Sequence, residues 1–407
     1  MLTDDDVLPV LAGDKAALAR AAIGAAGSET PEQARLSKSA AAQGLSGADI
    51  AASVRLFGWF APEDIPAFLR PAVAAYASAA ATLVQDPRDI IFVTNMVFYF
   101  ATIVPSAVML LARFSWLHAV LHTVALAVFT APFILMLHCL SHRKIASKSA
   151  PWLDHLVHVV LSPFFGETWN TFYYHHVKHH HVEDNNPLDL SSTIWYDRDN
   201  AFHFLLYFAR FYFLIVLELP VYFIRKGRYQ WAFNCFAGEV ATLVFYASFF
   251  WLLPNNPNGV IFAWFVPFNL ARFGMMSGNW AQHAFVEHSD PTNDYKTSIT
   301  CLATFYNKNC FNDGYHTSHH LNPIRRWDEH PQNFVDHKEK YDAQTTVVFR
   351  DLDFHGVWVA LMLKDYDTLA KSFVQVGEKK MTHDELKQYL RARTKRLPAE
   401  LIAKHFK

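Results

Sequence analysis

The sequence predicts an all-α integral membrane protein, with about four transmembrane helices in two hairpins beneath a cytoplasmic, histidine-rich cap. Three observations predict it. Hydrophobic residues make up 52% of the 407 positions, and they gather into uncharged runs long enough to cross a bilayer, which takes about 20 residues. Histidines gather in three short internal clusters at or beyond the ends of those runs. Arg143, Lys144, Lys148, Arg225, Lys226 and Arg228 fall on the same side as the histidines, which makes that side cytoplasmic. The net charge of −1 carries no basic excess, so nucleic acid is not an expected partner.

Residues 1–85 are rich in alanine with scattered charge and read as short helices in a soluble N-terminal region. Met1-Leu-Thr-Asp-Asp-Asp6 is acidic, which argues against a cleaved secretory signal or transit peptide. A membrane domain is expected over 86–330. Its first run, Ile90 to Ala112, is separated by only a few residues from the second, Trp116 to Leu140, so the two form a tight hairpin. Residues 151–174 mix apolar and aromatic side chains with Pro163 and Gly166 and read as interfacial. Two more runs, Trp231 to Leu253 and Gly259 to Gly278, are joined by Pro254-Asn-Asn-Pro-Asn-Gly259, a strong turn signal.

Ala201 to Ile224 is apolar enough to span but carries Arg210, Glu218 and Pro220. Clusters two and three must lie on one side of the bilayer to meet, so an even number of crossings separates them. The runs from Trp231 and Gly259 supply that number, and Ala201 to Ile224 is therefore expected to lie at the interface or to form a hairpin that does not cross. Residues 331–407 read as a soluble tail, in which Thr382-His-Asp-Glu385 is a capping box opening a basic helix.

The histidine clusters are His138-x-x-x-His142, the run His175-His-Val-Lys-His179-His180-His181, and His316-x-x-His319-His320, with His283 between the last two. Positions i, i+3 and i+4 share a helix face, so each cluster can aim several imidazoles at one point. Neutral imidazole binds iron, zinc and copper, and so many ligands exceed the need of one ion. A lone histidine pair is usually a chance surface pair; three clusters beside apolar runs are not. A structural zinc site favours thiolates, and Cys139, Cys235, Cys301 and Cys310 form no C-x-x-C pair. His118, His122, His155 and His158 read as structural or ordinary.

With these boxes, read H-x-x-x-H, H-x-x-x-H-H (or H-x-x-H-H from His176) and H-x-x-H-H, residues 90 to 325 resemble the membrane fatty-acid desaturase and hydroxylase superfamily. Asn279-Trp-Ala-Gln-His283 resembles the N-x-x-x-H element of its stearoyl-CoA desaturase and alkane monooxygenase branches. The ten residues between His180 and Ser191 are similar to the second box of alkane monooxygenases, an alignment that makes His175 the first ligand there. Cys139, where that branch has Glu, and Asn312-Asp-Gly-Tyr-His316 depart from its pattern. The resemblance implies a metal set of His138, His142, His175, His179, His180, His283, His316, His319 and His320, with Asn279 close by. His176 and His181 are the residues able to replace a neighbour.

The resemblance further implies two iron ions, dioxygen as co-substrate, and electrons from a separate ferredoxin or small cytochrome. The implied function is oxidation of a fatty-acyl or other lipid chain, with desaturation favoured over hydroxylation, alkane-type monooxygenation or decarboxylation. The membrane would be that of the endoplasmic reticulum in a eukaryote, or the inner membrane in a bacterium. A metal transporter is a distant alternative, disfavoured because the clusters sit on one side rather than through the bilayer. Glu167, Glu183, Asp184, Asp189 and Asp313 lie near enough to hold histidines through their second ring nitrogen, although solvated loop charge is the plainer reading for all but Asp313. Glu239 and Arg272 lie at similar depth in adjacent spans and are expected to pair.

Overall fold

A computed structural model describes residues 4–11, 65–377 and 380–406. The expectation for 12–64 lies outside the described residues. Helix α1 (Asp4–Leu11) and helix α2 (Arg70–Ala81) precede five helices long and apolar enough to cross a membrane. These are α3 (Pro87–Ala112), α4 (Trp116–His142), α6 (Ala201–Arg225), α7 (Tyr229–Leu252) and α8 (Pro257–Gln282). A shorter helix, α5, runs over 171–183 and carries the second histidine cluster.

Local chemistry sets the ends. Helix α3 breaks at Thr102, four residues after which the sequence reaches Ser106; Pro105 lacks the N–H that would bond the Ala101 carbonyl. The Ser115 hydroxyl caps α4 by accepting from His118 N, and the Asn200 side chain caps α6 by accepting from Phe202 N at 2.9 Å. In the turn between α7 and α8, Asn256 Nδ2 donates to the Leu110 and Leu111 carbonyls at 2.8 and 2.9 Å. Gly259 packs there so closely that a Cβ would stand 2.3 Å from Leu110 O. The far ends of both hairpins are thus stapled together, opposite the histidines.

Helix α6 behaves differently from its neighbours. Tyr207, near its start, bonds Asn279, and Tyr222, near its end, donates to Glu183 Oε1 at 2.5 Å. Between them Phe211 packs on the His175 ring, centroids 5.0 Å apart. The helix therefore runs along the histidine-bearing elements for about 22 Å, the rise of the intervening residues. Phe202, Leu205, Phe213, Leu217, Val221 and Ile224 are exposed on its outer side.

The cap is not purely helical, as the all-α expectation had it. Ile299–Leu302 (β1) pairs in parallel with Val347–Arg350 (β2). Four-residue strands so far apart in sequence offer too little periodicity to be recognised. Residues beyond 330 are built into this cap: helix α10 (Phe354–Leu363) packs on α8, and Arg393 Nη2 meets Glu287 Oε2 at 2.9 Å. The capping box at Thr382 and Glu385 is present and opens helix α11 (His383–Arg393).

Candidate metal centre

The third histidine cluster sits on α9 (His316–Leu321), wedged between the ends of α4 and α8, and the imidazoles form two groups. His138, His142, His176, His181 and His319 bring one ring nitrogen each within 4.8 Å of the others. His180, His283 and His320 do the same beside them. His316 belongs to the edge of the second group, its Nε2 3.2 Å from His283 Nε2.

In the first group the Nε2 atoms form a chain: His138 to His319 at 2.9 Å, His319 to His181 at 2.8 Å, His181 to His176 at 3.1 Å, and His176 to His142 at 3.0 Å. A neutral ring nitrogen carries either one proton or one lone pair, so hydrogen bonds cannot satisfy such a chain throughout. A cation can. Metal–nitrogen bonds of about 2.0–2.1 Å set neighbouring ligands roughly 3 Å apart, the separation seen here. Burial, and then the neighbouring imidazoles, hold His176, His181, His283, His316 and His319 well below the ordinary histidine pKa, so their lone pairs are available.

Four of the second ring nitrogens face a carboxylate or carbonyl. His180 Nδ1 lies 2.7 Å from Asp189 Oδ2, and His320 Nδ1 lies 2.7 Å from Asp184 Oδ1. His283 Nδ1 is 3.1 Å from the Thr297 carbonyl, and His138 Nδ1 is 3.5 Å from Asp313 Oδ1. An Nδ1–H donated outward leaves Nε2 free to face a metal. Burial would raise the Asp189 carboxyl, but His180 outweighs that and holds it below the usual range. Of the expected carboxylates, Asp184, Asp189 and Asp313 thus reach histidines. Glu183 instead accepts from Tyr222 and pairs with Lys226, and Glu167 faces a cavity.

Two of the sequence-predicted ligands stand apart. His179 Nε2 accepts from Leu190 N at 2.8 Å, with its ring against Tyr222. His175 packs on Phe211 and joins neither group. His176 and His181 take their places among the grouped imidazoles. The run supports the pattern H-x-x-x-H-H in two frames, from His175 or from His176, and the structure groups the later one. The cause is a π turn over His176–His180. At α-helical pitch, residues five apart point about 140° away from each other; the wider π turn aligns them. Asn279 lies one turn before His283 and donates to the Ser191 carbonyl at 3.0 Å and to Tyr207 Oη at 2.6 Å.

A cavity of about 360 Å³ reaches both groups, lined by His138 and His176 from one and His180 and His316 from the other. Most of its remaining wall is apolar, including Ile134, Leu135, Phe172, Phe211, Leu270 and Phe273. Gly274 and Gly278 also line it, and a Cβ on either would meet nothing within 4 Å. Deeper lie the expected partners: Arg272 and Glu239 form a buried ion pair, and Glu239 Oε2 accepts from Thr171 at 2.7 Å and from Thr168. At the opposite end of the hairpins His118 and His122 share the Ser106 hydroxyl, 2.9 Å from each.

Two histidine groups thus meet at one end of a largely apolar cavity among long apolar helices. The family model described as "Fatty acid desaturase" matches residues 114–351, more than half of the chain, and the protein belongs to that family. The match runs from the turn before α4 through β2 and takes in every grouped histidine. No curated protein matches the chain. Membership and the five long apolar helices make it an integral membrane protein with a lipid substrate.

Proposed function

We propose that this protein is an oxygen-dependent di-iron oxidase that introduces a double bond into a fatty-acyl or related lipid chain. The observation that carries the reading is the pair of imidazole groups meeting at one end of a largely apolar cavity. One iron would be held by His138, His142, His176, His181 and His319, the other by His180, His283, His316 and His320, with Asn279 beside the second. Bound iron, with dioxygen and two electrons, supplies an oxidant able to remove hydrogen from an unactivated C–H bond. The chain's own residues do the rest. Asp184, Asp189 and Asp313 orient imidazoles through Nδ1. The apolar wall excludes water and grips the substrate, each buried CH₂ contributing about 0.8 kcal/mol.

In this reading α3, α4, α7 and α8 cross the bilayer, and α6 lies along the interface with its exposed apolar side in lipid. Contacts to the histidine-bearing elements at both ends of α6 support that arrangement. The metal centre faces the cytoplasm, where Arg143, Lys144, Lys148, Arg225, Lys226 and Arg228 cluster and a ferredoxin or small cytochrome delivers electrons. The catalytic unit extends from residue 86 past 330, because Phe354 and His355 line the cavity. The spacing from His180 to Ser191 favours hydroxylation as the second reading. Expression with a reductase system, followed by mass analysis of a broad acyl and alkane panel, separates them. Loss of two hydrogens supports the desaturase and gain of one oxygen the hydroxylase; neither product, with no oxygen consumed by iron-loaded protein, sinks both.

A further inference from the structure

Beyond the histidines the cavity wall is largely apolar until its deep end, where three polar atoms lack partners. Glu167 and Arg272 line it and are each 3% exposed, and Thr130 lines it from α4. Glu167 Oε1, Arg272 Nη1 and Thr130 Oγ1 are buried and have no hydrogen-bond partner among the described residues. An unsatisfied buried polar atom costs about 1–3 kcal/mol, and three around one cavity call for a ligand that meets them.

The local backbone holds these groups in place. Gly166 adopts φ +80°, and a Cβ there would fall 2.2 Å from Pro267 C, so the loop carrying Glu167 lies flush against the middle of α8. A Cβ at Gly238 would fall 2.0 Å from Trp169 O, so α7 clamps the same loop from its other side. Thr168 and Thr171 are already occupied by Glu239. The anchor is thus a rigid feature of the interior.

Charge decides what it accepts. The groups facing Glu167 are Arg272 and Glu239, which neutralise each other as an ion pair. Burial pushes the Glu167 carboxyl up to about 7, with Glu239 adding to the rise and Arg272 opposing it. An incoming carboxylate would meet Glu239 and an ionisable Glu167 in a desolvated pocket. A neutral oxygen would accept from Arg272 Nη1 and from a protonated Glu167, at no such charge penalty.

We propose that the substrate is a lipid chain bearing a neutral oxygen function, a hydroxyl or carbonyl oxygen, which binds Glu167, Arg272 and Thr130 and sets the carbon presented for oxidation. The inference rests on the reading of the cavity as the substrate site. Arg272 and Asn279 are seven residues apart on α8, so the anchor stands about 10 Å along the helix from the metal end.

The test measures binding, not turnover. Iron-loaded protein in detergent is titrated with hexadecane, 1-hexadecanol and hexadecanoate, reading displacement of a fluorescent alkyl probe. Wild-type protein should bind the alcohol at least about tenfold more tightly than the alkane, the worth of about one good hydrogen bond, and more tightly than the carboxylate. Glu167→Leu and Thr130→Val should bring the alcohol-to-alkane ratio toward unity. Glu167→Gln, which keeps a donor and an acceptor, should retain most of it, and iron content and melting temperature confirm that each variant is folded. Equal affinity for alcohol and alkane would mean that water alone meets the free atoms, and would overturn the proposal. Tighter binding of hexadecanoate would overturn the neutral-oxygen assignment. Absence of iron or of oxygen consumption would count against the proposed function instead, so the two failures are distinguishable.

Discussion

The two histidine groups solve one problem in different ways. The first gathers five imidazoles, of which His138 has a carboxylate 3.5 Å from Nδ1. The second gathers three, with His316 at its edge, and each of the three is braced from behind, by Asp189, Asp184 or the Thr297 carbonyl. One group has ligands to spare; the other has fewer, held more firmly. An imidazole on a long helix is already aimed by its backbone, as His138 and His142 are at i and i+4 of α4. His180, His283 and His320 come from three separate elements and need the carboxylates and carbonyl to fix tautomer and ring orientation.

The largest effect expected from this contrast is at His180. If two irons are bound as proposed, His180→Ala removes a ligand from the smaller group and should abolish turnover, with loss of one iron per chain by elemental analysis. His181→Ala, which leaves four imidazoles in its group, should lower iron affinity less. The frame of the second box is tested alongside. His176→Ala should lose iron, whereas His175→Ala should retain both irons even if binding of substrate suffers. Retention by the first and loss by the second would restore the frame beginning at His175.

A second break separates the centre from its cavity. Gly278→Leu places a side chain where an added Cβ meets nothing within 4 Å. It should therefore fill the cavity without displacing backbone. Turnover should fall by more than about tenfold, with iron content unchanged and the melting temperature within a few degrees, since no packed contact is lost. Unchanged turnover would mean that substrate reaches the metals by another route.

A third concerns the braces. Asp189→Asn keeps the shape and removes the charge facing His180, and loss of such an outer partner typically lowers metal affinity or activity 10–100-fold. Iron affinity by chelator competition is the readout. Asp184→Asn should behave alike for His320.

How much of this was legible follows from what kind of regularity each part has. The α3–α4 hairpin shows in its uncharged runs, the α7–α8 turn in Pro254 to Gly259, and the Glu239–Arg272 pair in simple counting of helical rise. Those depend on local or periodic information. The second box does not, because its π turn breaks the α-helical period on which the spacing was read, and the spacing to Ser191 pointed to the frame beginning at His175. Asp184 and Asp189 looked like solvated loop charge; only the tertiary fold turns that loop inward. The last part of the chain was the least visible. β1 and β2 are four residues each and far apart, and α10 lines the cavity from beyond the expected domain end. Arg198, fully buried, donates to the carbonyls of Ala284, Tyr196 and Arg393, an arrangement with no periodic signature.

The smallest expected effect is the one that best sharpens the comparison. Asp313 stands 3.5 Å from His138 Nδ1 and also accepts from Gln282 Nε2 at 3.2 Å. At that separation it contributes less than the 2.7 Å contact of Asp189 with His180. His138 is in addition already oriented by α4 and surrounded by four other imidazoles of its group. Asp313→Asn should therefore lower iron affinity by less than about tenfold, below the range typical of outer-carboxylate loss. The same chelator competition used for Asp189→Asn measures it, on protein prepared in parallel. If the two variants lose affinity equally, number of ligands does not substitute for bracing, and the first group depends on its single carboxylate as much as the second does on its pair.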